Sequence, residues 1–288
     1  MQLPDRVGFI GIGARKSATT WLYENLVAHP QIATPGVSKK EVDYFSTHHA
    51  RGDAWYHSHF DSSGPLVGEF SVSYFADPQV PCRVHRYNPQ MRMILSLRNP
   101  VDRLLSEHLF EIQRGRTKAD VDFWQAFEES PLYVNQGMYA THLQRWLEYF
   151  DLKNLHIVLF DDIQTAPKDV LTSTLTFLGA DPTLQRRTLP PKNVATTYRS
   201  GRFRKVTHRL GRQTLRHLGP TPFRILQRTG LPRLAHRLNE RPADKSAVNI
   251  DVDDRKRLAE FFVDEIETLG SLIGRDLSSW LDMPKAVR

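Results

Sequence analysis

The chain has 288 residues, 40% of them hydrophobic and 25% charged, so it contains enough apolar side chains to bury a core. This composition excludes disordered and collagen-like proteins. The one cysteine, Cys82, excludes a disulfide framework and an all-cysteine metal site, which favours a reducing compartment. We find no signal-peptide pattern and no run near the roughly 20 apolar residues of a membrane span. We therefore expect a cytoplasmic protein without a transmembrane segment.

The net charge of +7 is concentrated in one segment. Residues 199–241 contain twelve Lys/Arg and one acid, a charge of +11, whereas the rest of the chain carries −4. Arginines alternate there with Leu, Ile and Phe, and Gly and Pro interrupt the pattern, which predicts short amphipathic helices. A lid with a solvated arginine face is our first interpretation. Contact with an anionic membrane surface or a polyanion is the alternative.

The predicted elements alternate between strands and helices. Residues 7–12 form an apolar, β-branched run typical of a buried strand, and 19–28 have helical spacing. A second strand is predicted over 91–97, before a helix capped by Asn99, and a third over 155–160. Because buried strands that alternate with helices form parallel sheets, we expect an α/β fold with a central parallel sheet flanked by helices.

The remaining segments complete a single domain over residues 1–288. Residues 185–202 and 239–251 have the composition of loops, and 250–270 has the pattern of a final amphipathic helix. We expect the basic segment 199–241 to be a helical, lid-like insertion in this domain.

The loop after the first strand combines small residues with hydrogen-bond donors. Residues 11–20 read GIGARKSATT, and the following helix would direct its N–H groups and positive dipole end at an anion. A Walker A loop is excluded, because Ile10 and Arg15 stand where that motif requires glycine. The loop predicts an anion site, with a solvated lysine on a turn as the alternative. The side-chain donors of this loop are Lys16, Ser17, Thr19 and Thr20.

The loop after the second predicted strand supplies a second candidate anion site. Arg98 ends that strand and Ser106 lies about two helical turns further on, so both can face one anion. Arginine offers a bidentate fork to phosphate, although a helix-capping Arg and an exposed Ser are the alternative. Since ligands bind beyond the carboxyl ends of parallel strands, the two loops together suit a ligand with two separated phosphate-type groups.

The chain resembles the PAPS-dependent sulfotransferases, and within them the branch of the heparan sulfate 3-O- and N-sulfotransferases and their bacterial relatives. The resemblance implies a P-loop-like nucleotide-binding fold, PAPS as donor and PAP as product. The two loops described above are its specific part. The matching segments, in the family's order, are GARKSATTWLYENLVAHPQI, KKEVDYF, GEFSVSYFADPQVPCRVHRYNPQMRMILSLRNPVDRLLSEH, GMYATHLQRWLEYF and LIGRDLSSW.

The resemblance also implies the donor-binding residues. Those expected to hold the 5′-phosphosulfate are Lys16, Ser17, Thr19 and Thr20, and Arg15 and Ala18 of the same loop are also expected to bind the donor. Those expected at the 3′-phosphate are Arg98 and Ser106. Arg199 and Arg202 are further candidates, and the alternative for these two is that their loop is solvated and does not contact the donor.

The catalytic roles implied by the resemblance fall on two residues. Lys16 would stabilise the leaving phosphate, and Glu41, in the segment KKEVDYF, would be the general base that takes the acceptor's proton. A surface ion pair of Glu41 with Lys39 or Lys40 is the alternative. The scheme needs no metal, and the histidines between 48 and 59 lack the pattern of a zinc site.

Two departures from the branch concern the acceptor. Phe70 stands where the glycosaminoglycan enzymes usually have Lys, and Asp43 stands where His is frequent. Both changes weaken the case for a heparan-like acceptor, and Phe70 offers either an apolar wall or simple core packing. The acceptor-binding residues that we expect are Glu41, Phe70, Ser71 and Tyr74.

We therefore expect a sulfotransferase that moves a sulfuryl group from PAPS by in-line displacement. The acceptor would be a hydroxyl, with an amine as second choice, of a carbohydrate, small-molecule or lipid metabolite. An ATP-dependent kinase is disfavoured by the broken Walker A spacing and the lack of a convincing magnesium-binding Asp. A non-enzymatic polyanion-binding protein that uses 199–241 is the other alternative, although no specific nucleic-acid-binding signature is present.

Overall fold

The structure is a computed structural model of the chain. It describes residues 7–35, 40–60, 65–117, 123–185, 187–190, 196–198, 240–242 and 250–282. Most of the basic segment 199–241, including Arg199 and Arg202, therefore lies outside the described residues.

Five parallel strands form the central sheet, which confirms the predicted α/β class. The strand order is β2-β3-β1-β4-β5. The predicted strands correspond to β1, β4 and β5, whereas β2 and β3 lack an equally clear apolar run. The strands are β1 (Phe9–Gly13), β2 (Ile32–Ala33), β3 (Leu66–Phe70), β4 (Arg92–Leu97) and β5 (Leu155–Leu159).

Helices follow or connect the strands. They are α1 (Thr19–Val27), α2 (Asp53–His57), α3 (Val80–Tyr87), α4 (Pro100–Arg114), α5 (Phe123–Glu129), α6 (Pro131–Asn135), α7 (Tyr139–Leu147), α8 (Phe160–Thr165), α9 (Pro167–Leu178), α10 (Val252–Phe261) and α11 (Val263–Ile273). None of the helices within the described ranges is long and apolar enough to cross a membrane.

The chain divides into two compact units. The first comprises residues 1–104, 130–192 and 251–288 and contains the parallel sheet. The second comprises 105–129 and 193–250 and contains a separate antiparallel pair, β6 (Thr196–Tyr198) with β7 (Glu240–Pro242). The prediction of loops at these two strands is wrong, because their pairing partners are remote in the sequence and local composition does not reveal them.

The predicted single helix over 250–270 is also wrong in detail, because α10 and α11 are separate helices. Phe262 between them leaves helical geometry, with φ −102° and ψ 6°, and its side chain is fully buried. Its ring occupies the space beside Gly137, where an added Cβ would lie 2.7 Å from it. Burial of this ring against another segment interrupts a pattern that is helical by local spacing.

The strands β1 and β3 pack closely because a glycine of each strand lies under a phenylalanine ring of the other. The Phe70 ring covers Gly11, where an added Cβ would lie 2.1 Å from the ring, and the Phe9 ring covers Gly68 in the same way at 2.3 Å. One core cluster extends from these rings to apolar residues of α1 and α9. The strands therefore lie at a fixed spacing beneath the loops that follow them.

The strand order reverses between β1 and β4. The chain continues from β1 to β2 and β3 on one side of the sheet and from β4 to β5 on the other side. In parallel sheets, the crevice at the carboxyl ends of two such strands is the common ligand site. The two loops with candidate anion-binding residues follow these two strands.

Candidate functional site

The anion loop, residues 13–20, leads from β1 into α1 in a conformation that suits a negative ligand. Lys16 and Ala18 have φ values of 65° and 60°, and left-handed residues of this kind occur in the turns whose backbone N–H groups bind anions. Ala18 is the N-cap of α1, no side chain caps this helix end, and its first turn contains no acid. The N–H groups and dipole of α1 are therefore not satisfied by a carboxylate in the first turn, and they can bind an anion.

Tyr139 joins the anion loop to the end of β4. Its hydroxyl donates to the Arg98 carbonyl oxygen at 3.0 Å and also hydrogen-bonds Ser17. Burial raises the pKa of Tyr139, so the phenol stays neutral. Ser17 is fully buried, and the backbone of the loop is tied to β4 by Ala14 N–H donating to the Ser96 carbonyl at 2.7 Å. Ser17 and Tyr139 thus fix the position of one loop relative to the other.

Arg98 has the features expected of a residue that binds an anion. Its guanidinium carbon lies 4.6 Å from the centroid of the Phe160 ring, and Nε is buried without a hydrogen-bond partner. Within the described ranges no carboxylate pairs with it. A buried N–H without a partner costs about 1–3 kcal/mol, which an oxygen of a bound anion would offset. Ser106 is half-buried on α4, and it belongs to the second compact unit.

Lys40 contacts the anion loop, a contact that the sequence pattern does not predict. Its ammonium donates to Thr19 Oγ1 at 2.9 Å and Thr20 Oγ1 at 3.2 Å, and Glu41 Oε1 lies 3.4 Å away. Because an ammonium only donates, both threonine hydroxyls must accept from it and can donate their own hydrogens to a ligand. Burial lowers the pKa of Lys40, and the carboxylate of Glu41 partly opposes this change. Adjacency to Glu41 was the only signal in the sequence.

The acidic turn, residues 40–43, holds Glu41 beside the end of β3. The Glu41 N–H donates to the Phe70 carbonyl at 2.9 Å, and its Oε2 accepts from the Val72 N–H at 2.8 Å. Glu41 and Asp43 both have positive φ, 69° and 53°, a conformation that non-glycine residues adopt only when their surroundings hold it. The Glu41 side chain remains 34% exposed. A fixed and accessible carboxylate is what a general base requires.

The other expected acceptor contacts lie beneath the acidic turn. Phe70 is buried, with its ring 5.7 Å from that of Tyr23 in an edge contact. Ser71 and Tyr74 are fully buried, and the Ser71 hydroxyl accepts from the Asp43 N–H at 2.9 Å. These residues support the turn from below, and their contact with an acceptor remains a prediction. In the part of the chain that the structure describes, no group of His, Cys, Asp or Glu is arranged to hold a metal ion.

Comparison with known proteins identifies the family. The family model for the sulfotransferase domain matches residues 9–206, which cover both the anion loop and the acidic turn. The chain belongs to the sulfotransferase family. The solved sulfotransferase from Alicyclobacillus acidocaldarius is similar over 97% of this chain and 100% of its own, with a TM-score of 0.69 and 24% identity. This likeness confirms the fold.

Curated relatives of this sulfotransferase include enzymes named for heparan sulfate. Heparan sulfate glucosamine 3-O-sulfotransferase 5 of Mus musculus is 28% identical over 193 residues, or 62% of this chain and 55% of the relative. Bifunctional heparan sulfate N-deacetylase/N-sulfotransferase 2 of Homo sapiens is 31% identical over 196 residues, or 61% of this chain and 22% of the relative. The chain thus spans about half the length, or less, of these relatives. The predicted family and enzyme class, a sulfotransferase, are confirmed.

Proposed function

We propose that this sulfotransferase moves a sulfuryl group from PAPS to a hydroxyl of a carbohydrate, small-molecule or lipid acceptor, with an amine as second choice. The observation that carries the proposal is the pair of anion sites at the switch point of the sheet. The anion loop offers N–H groups and a lysine at the end of β1, and Arg98 offers a buried, unpartnered Nε at the end of β4. PAPS has the two separated anionic groups that this pair requires.

The residues fit the two ends of the donor. The anion loop would hold the 5′-phosphosulfate, through the backbone N–H groups of α1, the Lys16 ammonium and the hydroxyl hydrogens of Thr19 and Thr20. Arg98 would hold the 3′-phosphate, with Ser106 from α4 as a further donor. The Arg98 Nε is buried and has no hydrogen-bond partner within the protein. In this assignment it would donate to an oxygen of the 3′-phosphate.

The proposed mechanism gives a role to the charged side chains of the anion loop and the acidic turn. PAPS supplies a sulfur atom whose bond to the bridging phosphate oxygen breaks as its bond to the acceptor oxygen forms. Glu41 takes the acceptor's proton, and the backbone N–H of Val72 holds its carboxylate in place during that transfer. Lys16 stabilises the charge that develops on the leaving phosphate. Lys40 lies between these two sites and contacts residues of both.

The acceptor next to Glu41 is expected to be uncharged at the reacting position. Asp43 adds a second carboxylate to the acidic turn, and its oxygen accepts from the Ser73 hydroxyl at 2.6 Å. Phe70 packs in the core at the position where the glycosaminoglycan enzymes usually have Lys. Two carboxylates would repel the anionic groups of a heparan-type chain. A hydroxyl on an acceptor without anionic groups therefore fits this environment better.

Calorimetric titration with PAP tests the donor site. We expect PAP to bind and ATP to bind far more weakly, since ATP lacks the 3′-phosphate. Arg98→Ala should weaken PAP binding about 10- to 100-fold, because a charge-assisted hydrogen bond and an ion pair are lost. Arg275→Ala is the matched control, since Arg275 is exposed and pairs with Asp162 at 3.1 Å. Absence of detectable PAP binding to the wild-type protein would refute the proposal.

A screen with radiolabelled PAPS identifies the acceptor. Neutral sugars, sterols or other lipids with free hydroxyls, amino sugars and heparan fragments are compared at equal concentration. The proposal expects transfer to a neutral hydroxyl acceptor. Transfer confined to heparan fragments would show that the carboxylates of the acidic turn do not select the acceptor.

The basic segment 199–241 lies almost wholly outside the described residues, and we also propose, from its sequence pattern, that it is a lid-like insertion of a single domain. Arg199 and Arg202 would contact the 3′-phosphate, and the other arginines would meet an anionic membrane surface or polyanion. Co-sedimentation with vesicles that contain phosphatidylserine, compared with neutral vesicles, tests the membrane contact. Equal binding to the anionic and the neutral vesicles would contradict an electrostatic membrane contact. Binding to neither kind of vesicle would show that the segment has no membrane role.

A further inference from the structure

Glu69 is a buried carboxyl group that the mechanism above does not use. It lies on β3, is 1% exposed, and has no Lys or Arg within ion-pair distance in the described part of the chain. Its hydrogen-bond partners are hydroxyl groups. Oε2 accepts from Ser71 Oγ at 2.8 Å, Oε1 lies 3.5 Å from the Tyr56 hydroxyl, and Tyr74 forms a further hydrogen bond.

The contacts of Glu69 lead directly to the acidic turn. Ser71 Oγ donates to Glu69, which directs the oxygen's lone pairs towards the Asp43 N–H at 2.9 Å. The adjacent backbone bond from the Glu41 N–H to the Phe70 carbonyl holds the other end of the turn. Because Glu41 and Asp43 have positive φ, loss of one of these bonds would let the turn relax to an ordinary backbone conformation.

We propose that Glu69 is a positioning residue for sulfuryl transfer, which holds the acidic turn in place through Ser71 and so fixes the carboxylate of Glu41. This inference rests on the proposed function of Glu41 as general base. Glu69 does not touch the reacting atoms, since it lies beneath the turn with its whole side chain buried. A misplacement of about 1 Å in a catalytic group can cost about 100-fold in rate, so a buried support of this kind affects turnover.

The effect of Glu69 on the acidic turn should depend on pH, because its carboxyl group can change its charge. Burial raises the pKa of Glu69 to about 8, and the negative charges of Glu41 and Asp43 add to the rise. Below that pH the neutral carboxyl adds no charge beneath the base, whereas above it a third negative charge repels both the turn and an anionic donor. The titratable groups that face Glu69 are Tyr23 from α1, Lys40, Glu41 and Asp43 from the acidic turn, Tyr56 from α2, and Tyr74 after β3.

Three variants test the inference with hydrolysis of PAPS, in which water is the acceptor. Ser71→Ala removes the link, and Glu69→Leu removes the acceptor of its hydroxyl; both should lower kcat about 10- to 100-fold while PAP affinity changes less than twofold. Glu69→Gln keeps an acceptor for Ser71 and should retain most of the activity at pH 7. It should also lose the fall in kcat that the wild-type enzyme shows above about pH 8. Glu267→Gln, at an exposed acid on α11, is the matched control.

Amide hydrogen exchange of Asp43 separates this inference from the proposed function. We expect faster exchange of this amide in Ser71→Ala and Glu69→Leu and unchanged exchange in Glu69→Gln, whether or not PAPS is turned over. If the amide loosens but no variant and no wild-type protein transfers sulfuryl groups, the proposed function fails. If the wild-type protein is active and Ser71→Ala retains its kcat and its slow Asp43 exchange, the role of Glu69 is refuted. An alkaline fall that persists in Glu69→Gln would refute its pH-dependent part.

Discussion

The anion loop and the acidic turn are built in different ways. The anion loop follows β1 directly, and its small residues, its lysine and the start of α1 are consecutive in the sequence. The acidic turn depends on residues about thirty positions away, since its bonds reach Phe70, Ser71 and Val72. One site is a property of a local motif, whereas the other exists only when β3 lies beside it. Substitutions in the anion loop should therefore change donor binding and the stabilisation of charge on the leaving phosphate. Substitutions in the acidic turn should change proton transfer.

Glu41→Gln gives the largest expected effect and isolates the acidic turn. The amide keeps the shape of the side chain but cannot take a proton, so kcat should fall about 10²- to 10⁴-fold. PAP affinity should change less than twofold, because the proposal assigns Glu41 to proton transfer and not to donor binding. Steady-state kinetics and calorimetry measure the two quantities. A large loss of PAP affinity would place Glu41 in the donor site and contradict the division between the two regions.

Lys16→Ala isolates the anion loop. In the proposed mechanism the Lys16 ammonium stabilises the leaving phosphate, so its loss should lower kcat about 10²- to 10³-fold. Single-turnover rates at saturating PAPS report this loss separately from binding. Lys153→Ala, at an exposed lysine paired with Asp151 at 2.6 Å, serves as control. A kcat equal to that of the wild type would remove Lys16 from catalysis.

Lys40→Met tests the residue that links the two regions. Without the ammonium, the hydroxyls of Thr19 and Thr20 are no longer oriented and the Glu41 carboxylate loses one partner. We expect PAP affinity and kcat each to fall about 10-fold, the size of one charge-assisted hydrogen bond. An effect on only one of the two quantities would assign Lys40 to that region alone.

Glu69→Gln gives the smallest effect on activity at neutral pH and a distinct effect on stability. The pKa of Glu69 is about 8 in the folded protein and near the ordinary carboxyl value in the unfolded chain. The folded state therefore holds a proton that the unfolded state releases, and the free energy of unfolding falls as pH rises from about 4.5 to 8. Glu69→Gln should lack this fall. Urea unfolding at pH 5, 7 and 9 measures the free energy of unfolding of the wild type and of Glu69→Gln. The same pH dependence in both proteins would contradict the raised pKa.

The parts of the protein that local sequence describes well were predicted from it. The apolar runs that became β1, β4 and β5 are recognisable because a strand buried on both faces must be apolar throughout. The short strands β6 and β7 were missed, since their pairing joins distant segments. Lys40 was read only as a partner of its neighbour Glu41, because its contact with Thr19 joins segments 21 positions apart. Glu69 was not singled out, because its burial and its link through Ser71 to Asp43 depend on how β3 packs.

The sequence by itself determined the class of fold, the resemblance to the sulfotransferases and the identity of the residues in the anion loop. Those features depend on hydrophobic periodicity, on small residues at a turn and on the start of a helix, which act over a few positions. Only the tertiary structure decided that Lys40 joins Thr19 to Glu41 and that Ser71 carries the contact from Glu69 to Asp43. Hydrogen bonds between side chains from different elements depend on how the sheet orders its strands, and that order is set by the packing of the whole core.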